Sequence, residues 1–368
     1  MKFDVLREAF LSPLQAVVGV VERRQTMPIL ANLLLSVGAK GLTVTSSDLE
    51  VELAASVQQV DLGEEGEITV PARKLVDICR ALPEGSKLIV QLDKTKLLVR
   101  AGRSRFTLAT LPAADFPVIE DIQVQRNFSL SGEKFRDLLA RTAFSMAQQD
   151  VRYYLNGLLL ENADSRLRVV ATDGHRLALC DLQESVPDNN EKSQIILPRK
   201  GVMELQRLLG DTEGEIKIYV GANHFRAELP GIRFTSKLVD GRFPEYDRVL
   251  PKGGDKIVKA QTKSLKEALG RAAILSNEKY RGVRLQLAKN LLKVMAHNPE
   301  QEEAEDEVEV EYMGSDLEIG FNVGYLLDAL NVLDSEQVQI SFTDANSSCL
   351  ISSPANDHCR YVVMPMRL

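Results

Sequence analysis

One pattern recurs three times along the 368 residues, and it constrains the fold more than any single motif does. A chain of internal repeats folds as a series of like units, each leaning on its neighbours. In every copy a helix-like segment is followed by strands, a second short helix, and further strands that close on a basic–aromatic pair. The second helix is the clearest. Residues 70–82 lead into a predicted strand at 87–92, residues 197–205 into one at 215–220, and residues 320–330 into one at 337–342. Apolar residues near i, i+3 and i+4 mark the helical pieces, and alternation marks the strands. Pro71 and Pro198 suit a first helical turn, where a missing N–H costs nothing. The closing pairs Arg105-Phe106, Arg233-Phe234 and Arg360-Tyr361 stand 128 and 127 positions apart. A first helix is expected around Asp4 to Arg24, Glu133 to Ala147 and Lys263 to Arg281, with Pro13 kinking the first of these or delaying its start.

The repeats predict three similar α+β domains of ordinary size, at 1–125, 126–253 and 254–368. Boundaries are expected near Ile122–Gln125 and at Lys252-Gly253-Gly254, and residues 183–194 read as a polar surface loop. With 44% hydrophobic and 26% charged residues the composition is that of a soluble globular protein. No apolar run approaches the roughly 20 residues of a membrane span. The N-terminal residues Asp4 and Glu8 stand where a signal peptide needs apolar ones, so a cytoplasmic protein with no membrane partner is expected. Cys79, Cys180, Cys349 and Cys359 show no CxxC spacing and read as buried or half-buried free thiols in a reducing compartment. His358 beside Cys359 is not a metal motif, and no cofactor is expected.

Charge argues against a simple nucleic-acid binder. The net charge is −7, whereas ordinary DNA affinity comes from Lys and Arg neutralising phosphates. The charge is unevenly spread, however. Six helical windows (2–24, 72–82, 133–147, 199–209, 263–281 and 322–333) together carry +8, which leaves −15 on the remainder. A solvated basic face on amphipathic helices would give the same split. Residues 300–311 hold eight acids and no base, and residues 94–105 hold Lys94, Lys96, Arg100, Arg103 and Arg105 with no acid. Either run alone reads as a solvated loop. Opposite runs in the last and first repeats also suit a head-to-tail contact, which closes into a ring when the rotation permits. Six touching domains of about 35 Å would leave a hole of about 35 Å, and four would leave about 14 Å. A duplex is roughly 20 Å wide, so two three-repeat chains could surround it and one chain closed on itself could not.

Several segments then match a known family from end to end. They are Leu111-Pro112-Ala113-Ala114-Asp115-Phe116-Pro117, Gln149-Asp150-Val151-Arg152-Tyr153-Tyr154-Leu155-Asn156-Gly157, Ala171-Thr172-Asp173-Gly174-His175-Arg176-Leu177, Asp240-Gly241-Arg242-Phe243-Pro244, Ala273-Ile274-Leu275-Ser276-Asn277-Glu278-Lys279 and the terminal Tyr361 to Leu368. Together and in this order they resemble the bacterial DNA polymerase III beta subunits, the sliding clamps. The resemblance implies a DNA clamp fold: a homodimeric closed ring of three repeated clamp-type domains per chain, with helices lining the inside and sheets outside. It implies double-stranded DNA as an encircled, sequence-independent partner, a clamp loader, and the polymerase III catalytic subunit with other polymerases or repair proteins as clients. DNA contacts carried over are Arg24, Arg73, Gln149, Arg152, Tyr153 and Tyr154. A client-peptide cleft maps to Leu155, Thr172, Gly174, His175, Arg176, Leu177, Pro244, Arg248, Val249, Asn322, Tyr325, Asn346, Ser348, Val362, Met364, Pro365 and Met366. Asn346 stands where an apolar wall residue would be easier to explain. Phe106, Leu108, Ile274 and Leu275 map to the subunit interface, although Ile274 and Leu275 would equally suit the buried face of their own helix.

Two other readings compete. Asp173-Gly174-His175 could be imagined in a hydrolase, but no GxSxG, HExxH, GxxxxGK[ST] or GxGxxG accompanies it. A triplicated peptide-binding scaffold that never meets DNA fits the cleft residues equally well, and the net charge favours it slightly.

Overall fold

Alternating apolar residues between turn signals make strands, and this chain has three runs of them, each interrupted by two amphipathic helices. The protein is described from a computed structural model that covers residues 1–21, 27–119, 122–185, 192–210 and 212–367. Its helices are α1 (Arg7–Val17), α2 (Ala72–Ala81), α3 (Gly132–Ala140), α4 (Arg199–Leu209), α5 (Thr262–Ile274) and α6 (Val323–Val332). Helix α2 shows why such segments fold. Ala72, Leu75, Val76 and Cys79 fall on one buried face, while Arg73, Lys74 and Arg80 stay exposed. Helix α6 is started by Asn322, whose side chain accepts the Gly324 and Tyr325 N–H groups.

The expected first helices are shorter than their apolar patterns. Lys2–Leu6 is a strand and α1 begins only at Arg7, with Pro13 inside it rather than at its start. The loop expected at 183–194 is partly strand, because Arg176–Ser185 and Ser193–Pro198 run into it. Residues 186–191 lie outside the described residues. The acidic run is no loop either: Glu303–Glu309 is a strand. It pairs along Leu291–His297, where Lys293 lies between Glu305 (2.8 Å) and Glu307 (3.4 Å).

Each repeat has one topology. Its first strand pairs antiparallel with the strand that follows its second helix: Lys2–Leu6 with Lys87–Asp93, Val124–Ser131 with Glu215–Gly221, and Lys256–Gln261 with Gln337–Phe342. Its closing strand carries the basic–aromatic pair, in Ser104–Ala109, Ile232–Lys237 and Cys359–Val363. Two of these closing strands pair across a repeat boundary. Ile232–Lys237 runs antiparallel to Val51–Val57, with Phe234 opposite Leu53. Cys359–Val363 runs antiparallel to Arg176–Ser185, with Tyr361 opposite Ala178. Two eight-stranded sheets result, each holding strands of two repeats, beside one five-stranded and one four-stranded sheet. The chain accordingly divides into two compact units, 1–133 with 203–238 and 134–202 with 239–368, so the middle repeat contributes to both.

The cysteine expectation holds for Cys79 and Cys349, which are buried and free. It fails for Cys180 and Cys359, which form a disulfide with Cα atoms 4.1 Å apart. The two residues are 179 positions apart in sequence, and they stand opposite one another only because the closing strand of the third repeat pairs with the second. No local spacing could signal that.

The closing aromatics fasten these junctions. Phe234 is fully buried and meets Phe225 edge-on at 6.3 Å. Phe234→Ala is expected to cost about 3–5 kcal/mol in the unit that contains it, measured by denaturant unfolding.

Candidate functional site

All residues of the expected cleft belong to the second unit. Its floor follows from the sheet register. Leu177 stands opposite Val362, which also pairs with Leu350 on its other side. Leu177 and Val362 are buried in a cluster with Leu159, Phe243 and Tyr246, against which Tyr154 and Leu250 pack. Leu155 is buried as well. Pro244, Arg248 and Val249 surround the anchors Phe243 and Tyr246 in sequence and are exposed. Arg248 is held to Glu245 at 2.7 Å.

The polar wall is built by Asp173. Its Oδ1 accepts the N–H groups of His175 (2.9 Å) and Arg176 (3.0 Å), and its Oδ2 accepts Arg176 Nε (3.1 Å). Thr172 Oγ1 donates to the Arg176 carbonyl at 2.6 Å and accepts the Gly174 N–H at 3.1 Å. With that carboxylate spent on backbone and guanidinium, Asp173 does not orient the His175 ring, and the geometry of a hydrolytic triad is missing. Arg176 also donates to the Phe144 carbonyl (2.8 Å), pairs with Asp328, and lies over the Tyr325 ring at 4.5 Å. The terminal segment closes the other side: the Met364 N–H donates to the His175 carbonyl and the Met366 N–H to the Gly320 carbonyl, both at 2.9 Å. Met364 and Val249 leave apolar surface exposed, and Pro365 and Met366 are half-buried. Exposed apolar surface and fixed polar groups are thus both present among the expected cleft residues.

Three further expected cleft residues have partners or burial of their own. Asn322 is engaged as the cap of α6 and donates to the Tyr280 carbonyl at 3.2 Å. Asn346 sits in a tight turn, its N–H held by Asp344 Oδ1 at 2.8 Å. Ser348 is half-buried just before the strand Cys349–Ser352.

Of the expected DNA contacts, Arg24 lies outside the described residues. Arg73 is exposed on α2 and donates to the Val21 carbonyl at 3.2 Å. The others form one protrusion. Gln149 has a positive φ of 56°, and the turn presents Val151 and Tyr153, which are 94% and 57% exposed. Tyr153 and Tyr154 meet edge-on at 5.8 Å. The exposure of Val151 escaped the sequence reading, since an isolated valine carries no signal. Arg152 forks onto Asp150 at 3.0 and 2.9 Å and reaches the Asp173 carbonyl at 3.3 Å, which joins the protrusion to the cleft wall. Gly174 admits this contact. Its φ is +88°, and a Cβ there would lie 3.0 Å from the guanidinium. Among the described residues, no group of three or more His, Cys, Asp or Glu is placed to hold a metal ion.

The side-chain hydrogen bond from Arg152 pushes the Asp150 carboxyl down to about 2. A depressed folded value means the pair contributes above the ordinary carboxylate range and is lost as pH falls toward 2. Arg152→Gln is expected to return the Asp150 midpoint toward the usual range, read from its carboxyl carbon by NMR titration.

The edges bearing the expected interface residues are also on view. Ser104–Ala109 is an outer strand of the five-stranded sheet and Glu303–Glu309 of the four-stranded sheet. Phe106 is half-buried and Leu108 buried. Ile274, at the end of α5, is 77% exposed and Leu275 is half-buried, so Ile274 does not belong to the helix's buried face.

Family models of the DNA polymerase III beta subunit match the chain three times: the N-terminal domain at residues 1–120, the central domain at 129–245 and the C-terminal domain at 247–367. A beta sliding clamp of Pseudomonas aeruginosa is 58% identical over 368 residues, covering all of both chains. A crystal structure of a DNA polymerase sliding clamp from the same organism, with ligand, superposes with a TM-score of 0.97 at 57% identity over the full length of both. One bound to griselimycin gives 0.96 at 58%, again over both full lengths. Matched from end to end in sequence and fold, the chain belongs to the DNA polymerase III beta subunit family, and it is a DNA sliding clamp, a non-catalytic processivity factor.

Proposed function

We propose that two copies pair head to tail into a closed ring around duplex DNA, and that the trough between Leu177, Tyr325 and Met364 tethers clients by short apolar peptides. One observation carries the ring. Each internal junction joins a closing strand, bearing a basic–aromatic pair, to the matching strand of the preceding repeat. Following that rule, the closing strand of the first repeat, Ser104–Ala109, calls for the matching strand of a third repeat, Glu303–Glu309. Each is an outer strand of its sheet. Their charges are opposite, with Arg103 and Arg105 at one edge and Glu303, Glu305, Glu307 and Glu309 on the other. The same antiparallel junction made twice between two copies closes the assembly. Phe106 and Leu108 on one edge, with Ile274 and Leu275 beside the other, supply its apolar contact.

In this reading residues 1–125, 126–253 and 254–368 are the three clamp domains, and the helices line the hole. The exposed Arg73 and Lys74 of α2 and Lys263 of α5 give the duplex a mildly positive passage. The exterior repels it, so confinement is topological and sliding breaks few phosphate contacts. Arg24, Arg73, Gln149, Arg152, Tyr153 and Tyr154 touch the duplex as it passes, the cations on phosphates and the tyrosines on sugar or base edges. The clients are the replicative polymerase and other DNA-processing proteins, a clamp loader opens the ring, and the work is done inside the cell.

Retention on nicked circular DNA in the presence of a loader tests the ring. Linearising the circle is expected to release the protein, whereas release that follows salt alone would mark ordinary electrostatic binding. Ile274→Asp sets a carboxylate in the proposed contact. It is expected to raise the dimer dissociation constant at least about tenfold, read by sedimentation.

A further inference from the structure

The disulfide Cys180–Cys359 is not symmetric. Cys180 is fully buried, whereas Cys359 is half-buried and lines a cavity of about 300 Å³, together with Arg141, Asp334, Asn356 and His358. The Tyr361 hydroxyl lies 3.8 Å from Cys180 Sγ. A sulfur already in a disulfide has no proton, so the hydroxyl donates. Asp181, which also lines the cavity, is taken up by Arg168 at 2.6 and 2.9 Å, with Arg166 and Arg360 at 3.6 and 3.7 Å. The cavity's other two carboxylates are also paired, Asp137 with Arg136 at 3.3 Å and Asp334 with Arg141 at 3.7 Å, so each is offset for an incoming anion.

We infer that this pair is a thiol–disulfide exchange site, at which a low-molecular-weight thiol enters the cavity and attacks Cys359 while Cys180 leaves. The incoming thiolate forms a new S–S bond to Cys359 Sγ as the Cys359–Cys180 bond breaks. Cys180 departs as a thiolate that accepts the Tyr361 hydrogen bond and then takes a proton from water. A second thiolate attacks the mixed disulfide, frees the Cys359 thiolate and leaves as the small disulfide. Two thiols are thus oxidised to one disulfide, and the protein pair is reduced by two electrons. Exposure sets the order: Cys359 lines the cavity, whereas Cys180 is fully buried with the Tyr361 hydroxyl 3.8 Å from its sulfur. Burial also pushes the Tyr361 phenol up, so it remains a donor throughout the physiological range. A disulfide in a protein of the cell interior is commonly of this transient, redox-responsive kind.

The test uses the full chain and glutathione as probe. Cys180→Ser exposed to oxidised glutathione is expected to gain one glutathione, mapped by mass spectrometry to Cys359. Cys359→Ser is expected to gain none at Cys180 in the same time. In the unaltered protein treated with reduced glutathione, an early acid quench followed by alkylation should find glutathione on Cys359 and the alkyl group on Cys180. Tyr361→Phe should slow that first step about 2- to 10-fold, the worth of one hydrogen bond. Glutathione on Cys180 as readily as on Cys359, an unchanged rate in Tyr361→Phe, or an untreated protein with all four thiols free would overturn the inference. None of these readouts involves DNA or ring closure, so the proposed function stands or falls separately.

Discussion

A strand edge is a row of N–H and C=O groups that must find partners or remain in water. This chain meets that requirement by lending strands across repeat boundaries. Phe234 is set opposite Leu53 and Tyr361 opposite Ala178 by the same antiparallel rule. Three copies of a unit that borrows from its neighbour make two junctions and leave one lender and one borrower at the ends of the array. The fold of both eight-stranded sheets thus follows from one interaction repeated. The two outer strands left over carry opposite charge, and like charges placed opposite one another would destabilise a strand pair.

Much of this was legible in the letters because it was periodic. The basic–aromatic pairs fall on equivalent closing strands, and the second helices begin next to Pro71 and Pro198, at Ala72 and Arg199. The cleft residues were legible only through family likeness. What escaped was non-local. Nothing near Val51 signals that its strand pairs with Ile232–Lys237, and nothing near Cys180 points to Cys359. Side-chain accounting was equally hidden. Asp173 looked like a potential partner for His175, yet it is consumed by two backbone N–H groups and Arg176. The role of Asn322 as the cap of α6 was likewise not visible in the letters. The charged run at 300–311 misled because strands are seldom so acidic; the pairing with Lys293 and Arg271 accommodates it.

The cleft and the tyrosine protrusion are joined through few atoms. Arg152 holds Asp150 on one side and the Asp173 carbonyl on the other, and Asp173 in turn fixes the wall from His175 to Arg176. Gly174 leaves the guanidinium the room it needs, so one side chain ties the turn at 149–154 to the segment 173–176.

Shared sheets also fix the order in which the molecule can be completed during synthesis. The strand Val51–Val57 is made early, yet its neighbour Ile232–Lys237 leaves the ribosome about 180 residues later, a wait of roughly 10–35 s at ordinary elongation rates. Arg176–Ser185 waits for Cys359–Val363, which is made about 180 residues later. For that interval a nascent chain carries an unsatisfied flank able to join a sister chain on the same message, so the feature that builds the array also makes its biogenesis vulnerable to crowded polysomes.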